Sequence, residues 1–100
     1  MGSSQQPRKS ICVQGATQLP TRREVQQAYA AVQKSLRKNT TDLSHEALAE
    51  KSATSKDYQS RLERAQRCPN LWIFIKISIA MDVDPVLVLS MVLRRLRGEL

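Results

Sequence analysis

The stretch LSHEALAEKSATSKDYQSRLERAQRCPNL, residues 43–71, constrains this chain more than any other. Leu43, Leu48 and Ala49 supply the apolar contacts of one short helix, and Leu62 anchors a second. Ser44 and Ser55 are placed to cap them, because a serine oxygen accepts an orphan amide hydrogen at a helix start. Lys51 to Thr54 leave only a few residues for the turn between them. Two short helices joined in this way make a helix-turn-helix, whose second helix lies in the DNA major groove.

The rest of the chain reads as helix. Residues 1–19 are polar and aperiodic and read as a flexible basic arm; residues 20–100 read as one domain. Thr21 and Glu24 form a capping-box pattern after Pro20. Val25, Ala28, Tyr29, Val32 and Leu36 then recur at helical spacing, predicting a first helix over 22–38 that Asn39 to Asp42 break. The next two helices fall at about 45–51 and 56–64. Asn70 caps a fourth over 71–81. Asp84 and Pro85 open a fifth that runs to Arg97 and stops at Gly98. With three glycines and four prolines there is little turn chemistry for a β architecture. The expected class is all-α, five helices.

The last two helices carry more apolar surface than a small core needs. Leu71, Phe74, Ile77, Ser78 and Met81 form the expected inward face of the fourth, with Trp72, Lys76 and Ile79 opposite. The fifth is apolar nearly all round, through Val86, Leu87, Val88, Leu89, Met91, Val92, Leu93 and Leu96. Such a helix is buried on more than one side. The expectation is a homodimer gripped by Trp72, Ile79, Val86, Leu89, Leu93 and Leu96.

Charge points the same way. The chain carries a net charge of +7 and a pI near 10.0, which favours a polyanionic partner. Residues 1–39 hold seven basic groups against Glu24; residues 40–70 hold five of each sign. The helix-turn-helix is therefore neutral as a block, and the attraction comes largely from the first third. At 4% aromatic content, base stacking on single strands is a poor fit.

Other classes find little support. There is one histidine, His45, with no nucleophile beside an identifiable base, no glycine-rich phosphate loop and no metal-ligand spacing. Neither an enzyme nor a cofactor is expected. Cys12 and Cys68 lack a disulfide framework and read as reduced cytoplasmic thiols. The longest apolar run, Leu71 to Ile75, stops at Lys76, so no membrane span is expected.

In its order of residues the segment resembles the Cro and phage-repressor helix-turn-helix family, also called the xenobiotic-response-element (XRE) family. The matches run through Leu43, Ser44, Glu46, Leu48, Ala49, Ser55, Tyr58, Ser60, Arg61, Leu62, Glu63, Arg64 and Pro69, then Ala80, Val83, Asp84 and Pro85. They cover roughly residues 25–90. The chain departs from the pattern at Ala53 and Ala65, where the family has glycine, and at Thr54 and Gln59, where it buries aliphatic side chains. A left-handed alanine costs roughly 1 kcal/mol, and a buried unpaired amide about 1 to 3 kcal/mol. Either Tyr58 rotates inward or Gln59 finds a partner.

The resemblance implies a lambda-repressor-like domain acting as a bacterial or phage transcriptional regulator, most simply a dimeric repressor on a two-fold DNA operator. It implies a reading helix bearing Ser55, Lys56, Asp57, Gln59, Ser60 and Arg61, with Arg61 and Lys56 as the leading base contacts. Asp57 is as readily an i, i+4 ion-pair partner of Arg61. His45 falls where the family holds a phosphate at a helix start, and Arg64 and Arg67 are expected phosphate ligands. Tyr58 reaches either a phosphate or the core. The rival reading is a protein-interaction module, or an antitoxin, that keeps the fold and grips a partner through Trp72 and the fifth helix.

Overall fold

Every α-helix among the described residues begins at a side chain suited to stop the preceding loop. In the computed structural model, which describes residues 19–99, five α-helices follow one another: α1 (Arg22–Ser35), α2 (His45–Ser52), α3 (Lys56–Glu63), α4 (Leu71–Ala80) and α5 (Pro85–Leu96). The expected arm over 1–19 lies, apart from Leu19, outside the described residues. Thr21 Oγ1 accepts the Glu24 amide at 3.1 Å while Glu24 Oε1 accepts the Thr21 amide at 2.8 Å, closing a capping box. Ser44, Ser55, Asn70 and Asp84 each accept one amide of the helix they precede. Pro85 follows Asp84 at the first helical position, where its missing N–H is no loss.

The departures from glycine fall at helix ends. Ala53 and Ala65 are left-handed, at φ 57° and 60°, as are Asp42 and Asp82. At Ala53 this turn lets the Thr54 amide reach back to the Ala49 carbonyl at 2.9 Å; at Ala65 the Gln66 amide reaches Arg61 at 2.8 Å. Aspartate tolerates this region, whereas alanine pays for its Cβ there.

α1 does not stop at residue 38. It widens into a π-helical turn over Leu36–Thr40. Thr41 holds that turn, donating its amide to Leu36 at 3.1 Å and its hydroxyl to the Arg37 carbonyl at 3.0 Å.

The core gathers Tyr29, Val32 and Leu36 of α1 and its π turn with Leu48, Leu62, Ile77, Met81, Val88 and Val92. α1 packs against α3 and α5, α2 against α3 and α4, and α4 against α5. Tyr29 meets Phe74 edge to face, ring centroids 5.9 Å apart. Leu71 departs from expectation. It stands 72% exposed, sharing the outer side with Trp72 rather than the inner side with Ile77. No helix among the described residues is long and apolar enough to cross a membrane.

Candidate nucleic-acid interface

α2 and α3 are held at their angle by polar groups. Gln59 of α3 is fully buried. Its Nε2 donates to Thr54 Oγ1 at 2.7 Å and to Ser52 Oγ at 3.4 Å, and its Oε1 accepts from Gln33 Nε2 at 2.7 Å. Ser52 in turn donates to the Leu48 carbonyl at 2.7 Å. Helix, turn and helix are thus tied to each other and to α1. Gln59 had been placed among the DNA-facing residues; the structure corrects this, since its amide points inward and is consumed there. Tyr58 stays half-buried against the core edge.

One turn further along α3, Glu63 anchors a second set of bonds. Its carboxylate accepts from Arg37 Nε at 2.7 Å and Nη2 at 2.9 Å, and its Oε1 lies 3.0 Å from His45 Nε2. Arg37 Nη1 also donates to the Leu43 carbonyl at 2.8 Å, and Gln33 Nε2 lies 3.3 Å from Glu63 Oε2. The Glu63 and Arg37 side chains are 4% and 10% exposed, and that of His45 is 29%. Burial alone would push the Glu63 carboxyl up, but the hydrogen bonds and charges of Arg37 and His45 hold it below the usual range. His45, expected at a phosphate, therefore has one ring nitrogen committed inward.

With Gln59, Leu62 and Glu63 turned in, α3 shows solvent a different set. Lys56, Asp57, Arg61, Arg64 and Arg67 are exposed, Ser55 also, and Ser60 is half-buried. Arg61 Nε donates to Asp57 Oδ2 at 2.8 Å, the i, i+4 pair. That bond uses Nε, and the two terminal guanidinium nitrogens, the kind of pair that matches guanine O6 and N7, make no hydrogen bond among the described residues. Ser55 Oγ accepts the Tyr58 amide, so its hydroxyl hydrogen remains to be donated. Four basic groups against Asp57 make this face positive although the block around it is neutral.

A second surface lies on α4 and α5. Trp72, Ile79, Val86 and Leu89 are exposed, as are Leu71, Ile75 and Leu87, which had not been assigned to it. Lys76 Nζ sits 4.2 Å from the centre of the Trp72 ring. Leu93 and Leu96 are half-buried, and Leu96 packs against the core.

The Gln33, Arg37, Gln59 and Glu63 network is what reading the sequence missed. A signal was present: two polar residues four apart, Gln33 of α1 and Arg37 of its π turn, match two polar residues four apart on α3.

No family model matches this chain, and no curated protein does. Among solved structures, a crystal structure of the clp gene regulator ClgR from Corynebacterium glutamicum is similar with a TM-score of 0.69 at 23% identity, covering 75% of this chain and 79% of that one. A second ClgR crystal structure from C. glutamicum gives a TM-score of 0.64 at 24% identity, covering 74% and 91%. The likeness is one of fold: this chain shares the all-α helix-turn-helix fold of those structures, built from five α-helices among the described residues.

Proposed function

We propose that this chain is a sequence-specific DNA-binding transcriptional regulator of the XRE type, a cytoplasmic bacterial or phage repressor that binds a two-fold operator as a homodimer. The observation that carries this reading is the division of α3. Gln59, Leu62 and Glu63 fix it to the domain, while Lys56 and Arg61, with Arg64 just past its end, are exposed and Ser60 is half-buried. The fold likeness to a clp gene regulator supports the same reading. Arg61 takes the role of base reader and Lys56 a base or phosphate. Arg64 and Arg67 take phosphates, which position the protein without reading sequence. The apolar surface of α4 and α5 holds the second subunit, and neither a catalytic centre nor a cofactor enters the mechanism.

The neutral charge of residues 40–70 and the exposed Trp72 favour a second reading, a module that grips a protein partner. Selection from a randomised duplex library separates the two. A regulator enriches a palindrome with half-sites about one helical turn apart. Arg61→Ala then relaxes one base pair per half-site at a cost of about 1 to 3 kcal/mol. A library that yields no enriched sequence refutes the DNA-reading role. An unchanged profile for Arg61→Ala refutes the assignment of the reader.

A further inference from the structure

We propose that Gln33 and Gln59 are specificity-determining positioning residues: neither touches DNA, and together they set how α3 presents the side chains that do. The inference rests on the DNA-reading role above and names what makes that reading sharp. Both side chains are fully buried, so neither can reach a base or a phosphate. They join α1 to α3 across 26 residues of sequence.

The direction of every bond in this chain of groups is fixed from its ends. The Leu48 carbonyl only accepts, so the Ser52 hydroxyl donates its one hydrogen there, at 2.7 Å. The 3.0 Å contact between Ser52 and Thr54 is then made by the Thr54 hydrogen. Thr54 Oγ1 has lone pairs left for Gln59, whose Nε2 donates at 2.7 Å. Gln59 Oε1 therefore faces α1, where it accepts from Gln33 Nε2 at 2.7 Å. The same Gln33 nitrogen lies 3.3 Å from Glu63 Oε2, again an acceptor. Turning over the Gln33 amide would set its oxygen against Gln59 Oε1 and the Glu63 carboxylate. Turning over Gln59 would bring two nitrogens together. One arrangement satisfies the chain, and it ties α2, the turn, α3 and α1 to one another.

This arrangement is not the most stable way to fill the space. With Gln33 Nε2 given to α3, Gln33 Oε1 has no hydrogen-bond partner among the described residues, and it is buried. An acceptor left in that state is destabilising. Two unbranched apolar side chains would occupy a similar volume without it. What they would not supply is orientation, the use for which buried polar groups are retained at a cost in stability. α3 has eight residues and two buried ones, Leu62 and Gln59. Leu62 tolerates a small turn of the helix about its axis; a chain of hydrogen bonds with one allowed direction does not. Lys56 and Arg61 lie on the same short helix, so such a turn moves both. Loss of the glutamine pair should therefore blur several base positions together, where loss of the Arg61 guanidinium blurs one.

The full chain and its variants are put through selection from a randomised duplex library, with affinity for a random-sequence duplex measured beside it at fixed salt. Gln33→Met/Gln59→Met keeps the length of both side chains and removes the bonds. It should fold, as judged by far-UV circular dichroism, and bind the random duplex within about twofold of wild type, since phosphate contacts carry that affinity. Its preference should fall by about fivefold or more at more than one base pair of each half-site. Thr54→Val cuts the same chain at the turn and should blur the same positions less; Thr54→Ser keeps the hydroxyl and should leave the profile sharp. A wild-type profile in the folded double variant, or in Thr54→Val where the double variant does not fold, overturns the proposal and leaves the DNA-reading role in place. An equal loss on selected and random duplexes marks a merely structural role and overturns it as well. A wild-type chain that enriches no sequence overturns that reading and the proposal together.

Discussion

Arg37 and Glu63 make a test of how this domain fixes its reading helix. Both side chains are at least nine-tenths buried, and they share two hydrogen bonds of 2.7 and 2.9 Å. Arg37→Met keeps the aliphatic stem and removes the charge. Glu63 is then left buried with His45, which is partly in solvent, and Gln33 at 3.3 Å. Breaking one side of a buried pair costs about 3 to 5 kcal/mol; because His45 still serves one oxygen, the loss should sit at the lower end. For a domain this size, about 3 kcal/mol lowers Tm by roughly 12 to 24 °C. Glu63→Met should cost as much, since Arg37 would keep only the Leu43 carbonyl. The double variant Arg37→Met/Glu63→Met removes both charges and should lie near wild-type stability, within about 2 kcal/mol, giving a coupling of at least about 4 kcal/mol.

Urea unfolding followed by far-UV circular dichroism measures all four members of the cycle; Trp72 is too exposed to report on packing. The pH dependence supplies a second check. A carboxyl held low contributes stability above its unfolded value, and that contribution is lost as pH falls through the folded one. In wild type, Glu63 should therefore lose its contribution on the acid side. In Arg37→Met the buried carboxyl accepts a proton more readily, so its deficit relative to wild type should be largest near pH 7 and shrink toward pH 4. A single-variant loss below about 1 kcal/mol, the size of a surface pair, or a double variant no better than the worse single, would refute this reasoning.

Two further outcomes follow from the helix ends and the apolar surface. Ala53→Gly and Ala65→Gly relieve left-handed alanines at φ 57° and 60°, and each should raise stability by about 0.5 to 1 kcal/mol; a urea midpoint that does not move, or falls, contradicts this. Light scattering at micromolar concentration should give about twice the 11.3 kDa chain mass, and Val86→Glu, at a side chain 73% exposed, should return a folded monomer. A wild-type monomer, or a dimer indifferent to Val86→Glu, removes α5 from the interface.

What could be read from the sequence was local. Thr21, Ser44, Ser55, Asn70 and Asp84 announce helix starts through chemistry that acts within three residues, and all five accept the amides expected of them. Apolar spacing placed Tyr29, Val32, Leu36, Leu62 and Ile77 in the core for the same reason. Leu71 was misread because periodicity does not say where a helix leaves its neighbours; at the first turn of α4 its side is open. The π turn was hidden because it depends on where the Thr41 hydroxyl and amide land after the chain has turned. Gln59 left two alternatives open, and the choice between them lay 26 residues away, at Gln33.

That long-range pairing bears directly on the reading face. Apolar packing alone tolerates small rotations of a short helix, because one methyl surface substitutes for another. Paired polar groups do not: a rotation that carried Gln59 or Glu63 out of line would leave Gln33 Nε2, Thr54 and Arg37 without buried partners, at about 1 to 3 kcal/mol for each neutral group and more for the charge. α3 has only Leu62 as a fully buried apolar anchor, so its rotation about its own axis is set chiefly by Gln59 and Glu63. The same setting decides which of Lys56, Ser60 and Arg61 project outward. It also brings Glu63 to the imidazole of α2, so one buried carboxylate governs both the face that would read bases and the ring that would meet the backbone. Replacing the network by aliphatic residues would therefore spare stability more than it spares sequence preference.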